Sequence, residues 1–349
     1  MTGERVQDIG EFTLIDRLRD ALPVEARSMP DGDTGIGDDA ALWKPPADQD
    51  VVITTDALVE GIHFRLDWTD WESLGHKMLA VNLSDIAAMG AVPRLATVVL
   101  GLTGKETVKD LEHLYRGGGR LAADHGTVIA GGDIVRSPRG VLISVTMVGS
   151  VEGGQAVTRN GAREGDLIVV SGTLGASAAG LALLEGNESH STTGPLLRAA
   201  HLRPQPRLAL GAIMYEAGVT AAMDLSDGLL GDLPKILHAS GVGGRIELDR
   251  VPVLPVVRAL FPDRWLDLAV QGGEDYELLM TIAPEGFERF RALAGVVGAT
   301  ITAIGEITGE GAGHLELSGN GNDGIHQPGA FDHFRAGDVS SAPVQVRIR

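Results

Sequence analysis

Apolar residues recur along this chain with two spacings. Runs rich in Val, Ile and Leu at 50–56 (DVVITTD), 95–101 (LATVVLG), 126–133 (GTVIAGGD), 140–150 (GVLISVTMVGS), 166–172 (DLIVVSG), 219–228 (VTAAMDLSDG) and 276–283 (YELLMTIA) read as strands. Between them, 73–90, 106–125, 175–185, 205–217 and 228–240 carry apolar positions at helical spacing. Strands and helices interleave, with hairpin-like runs among them. The pattern therefore predicts a mixed α/β (α+β) fold rather than a purely parallel sheet. The polar, glycine-rich stretch GSVEGGQAVTRNGAREGD predicts a boundary near 150–163, dividing the chain into domains 1–150 and 151–349. Each half has a strand ending in aspartate, a helix, then GGD (131–133) or GGED (272–275), a weak internal resemblance. The tail after 309 is Gly/Asn/His-rich and less regular.

Composition narrows the partners. The chain has 349 residues, 44% of them hydrophobic, so it has material for two packed cores. Lys and Arg number 29 against 47 Asp and Glu, a net charge of −18. With no Lys/Arg cluster in the sequence, such a chain repels nucleic acid and anionic membrane, and neither is expected as a partner. No apolar run reaches membrane-helix length, and MTGERVQDIGEF lacks a signal pattern. The absence of cysteine excludes disulfides, thiolate metal sites and cysteine nucleophiles, and fits a cytoplasmic location.

Familiar nucleotide and metal motifs fail on inspection. GLTGKET (101–107) lacks the first glycine and the hydroxyl of a phosphate loop. GNGNDG (319–324) matches G-x-G-x-x-G but leads into IHQPG rather than a helix, and RGGGR (116–120) has too little context to assign. DGDTGIGDDAAL, from Asp31, has Ile36 and Leu42 where a calcium loop needs glycine and glutamate. Neither G-x-S-x-G nor H-E-x-x-H occurs.

What remains is a set of carboxylates beside glycines and small apolar residues: Asp38 and Asp39, Asp56 after Thr54 and Thr55, Asp85, Asp133, Asp224 and Asp227, Glu274 and Asp275. Asp56 reads as the end of a strand, and Asp227 as a helix N-cap or a ligand. Asp85, beside Ala87, Ala88 and Met89, is either exposed or paired with a cation, because an unpaired buried carboxylate is costly. Like charges converge only if metals compensate them. Hard cations such as Mg²⁺ take oxygen ligands, keep waters and recruit polyphosphate, which would give an ATP site without a lysine loop.

The ordered set GIGDDAAL, TTDALVEGIHF, HKMLAVNLSDIAAMGAVP, AGGD, MDLSDGLLGDL, GGEDYELL and GAFDHF resembles the thiamine-monophosphate kinase family over nearly the whole chain. The wider superfamily includes aminoimidazole ribonucleotide synthetase, selenophosphate synthetase and a hydrogenase maturation protein. The last two rely on a cysteine or selenocysteine that this chain lacks. The resemblance implies an aminoimidazole ribonucleotide synthetase-like, two-domain architecture. Its N-terminal domain binds ATP and Mg²⁺ and pairs with its copy in a homodimer, and its C-terminal domain carries substrate contacts. It implies Mg²⁺-dependent transfer of the ATP γ-phosphoryl group to thiamine phosphate, giving thiamine diphosphate. The alternatives are another ATP-dependent synthetase of the superfamily and a non-enzymatic acidic metal binder.

By motif matching, the resemblance implies Asp38, Thr54, Thr55, Asp56, Asp85, Asp133, Asp224 and Asp227 as metal ligands, with Asp56, Asp85 and Asp133 catalytic. It implies Tyr115, Gly132, Asp133, Arg159 and Ser226 as ATP contacts, and His63, Glu274 and Phe331 as substrate contacts. Phe334 competes with Phe331, and Asp39 and Asp275 are ligands or their partners. Arg159 is otherwise an ordinary linker arginine. Because the acceptor is itself a phosphate, with a second pKa of about 6, no strong base is needed. The barrier is repulsion between two anions, which metals held by carboxylates relieve during direct in-line transfer without a phosphoenzyme.

Overall fold

Three eleven-residue strands and one of nine open the architecture: β1 (Gln49–Val59), β2 (Val92–Leu102), the shorter β3 (Val128–Arg136) and β4 (Leu142–Glu152). The computed structural model describes residues 4–9, 11–30, 33–36, 39–186, 193–319 and 346–348. Asp38, Phe331 and Phe334 lie outside these residues, as does most of GNGNDG.

The chain divides into two compact units, one of residues 1–86 and 91–154, the other of 87–90 and 155–349. In the first unit the strands form a sheet in the order β1-β4-β2-β3, antiparallel except for the parallel β2–β3 pair. Helix Trp71–Ala88 is apolar or small on nearly every face, the pattern of a helix buried all round. It touches helix Val108–Asp124 backbone to backbone. A Cβ on Gly75 would stand 1.9 Å from the Leu114 carbonyl oxygen, and one on Gly117 would stand 2.0 Å from that of Glu72. The RGGGR run is therefore a helix-packing device. GLTGKET is likewise structural: Thr107 caps the second helix and forms a capping box with Asp110.

The second unit adds β5 (Leu167–Ser171), β6 (Val219–Asp224), β7 (Gly243–Glu247), β8 (Leu278–Ile282), β9 (Ile301–Thr308), β10 (Leu315–Ser318) and β11 (Val346–Ile348). They form one mixed sheet in the order β11-β10-β7-β9-β5-β8-β6. Apolar clusters pack on it, one around Ile168, Met223, Leu233 and Ile304, another around Val169, Met280 and Phe290. Helices Ala176–Glu185 and Gly194–Leu202 pair closely at Gly180, where a Cβ would meet the Leu197 carbonyl oxygen at 2.0 Å.

Four local expectations are corrected. Asp56 sits inside β1, which runs on to Val59, and Asp133 sits inside β3. Asp227 is not the N-cap of helix Leu229–Ser240, since Gly228 holds that position. The helical run 205–217 breaks into Leu208–Gly211 and Met214–Ala217.

Candidate active site

In the first unit, cross-strand register sorts the candidate ligands by sheet face. Asp56 lies in the row Asp56–Val145–Val98–Gly132, and Val145 and Val98 are buried. Thr54, two residues earlier, shares that face. There the Thr54 hydroxyl donates to the Asp85 carboxylate from helix Trp71–Ala88. Burial first, and the charge of Asp85 second, push the Asp56 carboxyl up to about 6. Asp85 is thus half-buried with a hydroxyl donor beside it, which answers how an acid stands in so apolar a helix.

Thr55 and Asp133 lie in the alternate rows, Thr55–Thr146–Thr97–Gly131 and Ala57–Ser144–Val99–Asp133, and so face the other side of the sheet. Thr146 donates to the Thr55 hydroxyl at 3.2 Å, and Thr55 to the Val145 carbonyl at 3.1 Å. Asp133 is exposed and accepts from the Ile134 N–H at 2.8 Å. Gly132 fits against β2 only without a side chain, because a Cβ would stand 1.9 Å from the Val98 carbonyl oxygen.

His63 follows β1 in a short turn. Its Nδ1 accepts from the Val59 N–H at 3.0 Å, and its carbonyl accepts from the buried Lys77 ammonium at 3.3 Å. Tyr115 is buried in helix Val108–Asp124, which raises its hydroxyl pKa above the ordinary tyrosine value.

In the second unit, β6 ends on the buried Asp224 and passes into a loop held by a residue that the motif reading did not single out. The Asp232 carboxylate, fully buried, accepts from the Ser226 N–H at 3.0 Å and the Asp227 N–H at 2.9 Å. Lys235 bridges both acids, at 2.6 Å to Asp227 and 2.7 Å to Asp232. Burial raises the Asp232 pKa, and Lys235 pulls it back. The i,i+3 spacing of Asp232 and Lys235 in GDLPK was the available sequence signal. Arg159 is exposed, and its backbone carbonyl accepts from the Ser240 hydroxyl at 3.1 Å.

Segment 272–277 runs against the same loop. The Glu274 N–H donates to the Ser226 carbonyl at 2.8 Å, and the Tyr276 N–H to that of Leu225 at 2.9 Å. Glu274 and Tyr276 take positive φ, 64° and 51°, conformations that a side chain adopts at a cost. Asp275 accepts from the Gly175 N–H at 2.7 Å and the Ser177 N–H at 3.1 Å, at the start of helix Ala176–Glu185. Burial pushes its carboxyl up to about 7 against those donors. Glu277 pairs with both nitrogens of the Arg207 fork and with the Ser171 hydroxyl. The Glu274 carboxylate lies 3.2 Å from Nδ1 of the buried His201, a residue with no signal in the linear sequence.

Among the described residues, no group of three or more His, Asp and Glu side chains stands close enough to hold a metal ion. The candidates are spread over two sheet faces of one unit and a loop pair of the other. Among the described residues, Asp56, Asp85 and the Thr54 hydroxyl form a close set in the first unit that is all oxygen, with the charge of Asp85 adding to the cost of ionising Asp56. That donor set fits Mg²⁺, which is commonly held by one or two carboxylates plus substrate phosphates and water.

Comparison with known proteins adds the following. Residues 37–151 match the AIR synthase related protein, N-terminal domain, and residues 163–318 match the AIR synthase related protein, C-terminal domain. A thiamine-monophosphate kinase of Salmonella typhimurium is 39% identical over 332 residues, covering 93% of this chain and 98% of the relative. The crystal structure of thiamine-monophosphate kinase from Stenotrophomonas maltophilia superposes with a TM-score of 0.79 at 38% identity, over 90% of this chain and 97% of that one. A solved complex of AaThiL with AMPPCP and TMP superposes with a TM-score of 0.73 at 30% identity, over 96% of this chain and 100% of that one.

Proposed function

We infer the activity from a shown premise: this chain belongs to the thiamine-monophosphate kinase family. It is an enzyme that phosphorylates thiamine phosphate at the expense of ATP, giving thiamine diphosphate. The observation that carries this reading is the match to kinase relatives over nearly the full length of both chains, together with a similar structure that binds AMPPCP and TMP. It favours the kinase over a superfamily synthetase or a non-enzymatic metal binder.

The proposal assigns one Mg²⁺ to Asp56, Asp85 and Thr54, and further Mg²⁺ ions to Thr55 and Asp133 on the opposite sheet face and to Asp38. Supporting it are the all-oxygen donor set and the mutual repulsion of Asp56 and Asp85. When bound, Mg²⁺ supplies charge neutralisation between the two phosphates. The chain's own part is to hold the nucleotide and the acceptor in line. In the first unit, Tyr115, Gly132 and Asp133 serve ATP, and His63, tied down by Val59 and Lys77, serves the thiamine moiety. In the second unit, Arg159 and Ser226 serve ATP. Asp224 and Asp227 are metal ligands, and Glu274 and Phe331 contact the substrate. The phosphate acceptor needs no general base, which agrees with the absence of a nucleophile motif.

A homodimer and a cytoplasmic location complete the proposal. The dimer is supported by the first unit's own sheet: β1 is an edge strand, and Val51 and Ile53 on it are exposed, Ile53 at 67%. Among the described residues no helix is long and apolar enough to cross a membrane.

The deciding experiment follows ADP release with ATP and Mg²⁺, comparing thiamine phosphate with unphosphorylated thiamine. Release with thiamine phosphate alone is expected. Equal release with thiamine, or none with either, overturns the assignment.

A further inference from the structure

His201 is a buried, ionisable residue for which the proposed reaction has no use, and it sits against a residue for which it has one. It lies in the last turn of helix Gly194–Leu202 and is 4% exposed. Its Nδ1 is 3.2 Å from a Glu274 carboxylate oxygen and 3.1 Å from the Ser177 hydroxyl. Both partners meet the same ring nitrogen, so the three residues cannot act as a proton relay, which needs one partner on each nitrogen. An ionised carboxylate only accepts. Nδ1 therefore carries the proton and donates it to Glu274, with the Ser177 oxygen as second acceptor.

The surroundings make this contact a brace. Glu274 holds a positive φ of 64°, and its own N–H is committed to the Ser226 carbonyl. The next residue, Asp275, is fastened to the backbone at the start of helix Ala176–Glu185, the helix that carries Ser177. The backbone thus fixes where the Glu274 side chain begins, and His201 fixes where its carboxylate ends. A carboxylate meant for a cationic ring must be aimed, and a donor on one oxygen aims it.

We propose that His201 is the positioning residue for Glu274. Through Nδ1–H it holds the carboxylate in the orientation that receives the cationic heterocycle of the acceptor, and so sets affinity for thiamine phosphate without touching ATP. This rests on the kinase reading given above.

The test compares His201→Phe, which keeps a planar ring and loses the donor, with His201→Asn, whose amide N–H stands where Nδ1–H stood. A hydrogen bond to a charged group leads to an expected rise of about ten-fold in KM for thiamine phosphate in His201→Phe, with kcat and KM for ATP within about two-fold of wild type. His201→Asn restores KM. In a Glu274→Ala background, His201→Phe adds nothing further. Should His201→Phe fail to fold, His201→Ala takes its place in the same comparison. Unchanged KM for thiamine phosphate, equal rises for both substrates, no rescue by Asn, or additivity with Glu274→Ala would each overturn the proposal. Failure of the kinase reading itself shows separately, as a wild-type protein inactive on thiamine phosphate.

Discussion

The Thr54 hydroxyl donates to the Asp85 carboxylate, tying the middle of β1 to the helix buried behind it. Asp56, two residues along the same strand face, meets that carboxylate with charge of the same sign. Three oxygen-bearing side chains are thereby assembled by one strand and one helix, and the repulsion inside the group has consequences for pH and for metal.

The first concerns stability. Burial and Asp85 hold the folded-state pKa of Asp56 at about 6, above its ordinary value of 3.8, so the fold favours the protonated acid. As pH rises from 3.8 the unfolded chain releases this proton first. Metal-free protein should therefore lose stability as pH rises towards 6, with the loss complete above it. Thermal unfolding in EDTA between pH 4 and about 7 should show this slope, Asp56→Asn should flatten it, and Mg²⁺ should offset it most above pH 6.

Turnover should depend on the same residue. Asp56→Asn keeps the shape and removes the charge, so circular dichroism should stay near wild type and melting in EDTA above about pH 6 should be no lower than wild type. ADP release at limiting Mg²⁺ should fall by about a hundred-fold or more, the scale of losing one pre-organised electrostatic contact. A folded Asp56→Asn protein with near-normal activity would remove Asp56 from the site.

Gly132 tests a steric requirement. The Val98 carbonyl oxygen occupies the place of a side chain, at 1.9 Å from an ideal Cβ. Gly132→Ala should separate β3 from β2 locally and cost about 3 kcal/mol in urea unfolding, the upper range for overpacking. Loss of activity in this variant should accompany loss of stability, unlike Asp56→Asn.

Asp232 should behave as a structural anchor for the loop carrying Ser226 and Asp227. Asp232→Ala strands two backbone N–H groups, and the Lys235 ammonium loses one of its two acids. Leaving backbone donors without their acceptor typically costs about 1–3 kcal/mol, so a lower urea midpoint is expected. Hydrogen exchange at the Ser226 and Asp227 amides should rise in the folded protein.

Much of this was legible in the linear chain. Alternation and helical spacing located β2, β4, β5, β6 and β8 and the helices at 71–88, 108–124, 176–185 and 229–240, because burial of one face imposes those periods wherever it occurs. The ordered motifs carried the family, and the lack of cysteine removed its thiol-dependent relatives from consideration. Cross-strand and cross-helix relations were not legible. Which face of the sheet Asp56 and Asp133 occupy follows from register between strands far apart in sequence. That RGGGR serves helix contact follows from a carbonyl on another helix. That His201 meets Glu274 follows from a helix end reaching a loop 73 residues further along (274 − 201). The residue types and their local periods are properties of the chain itself, whereas proximity between distant side chains exists only once packing has chosen one arrangement, so only the tertiary structure decided it.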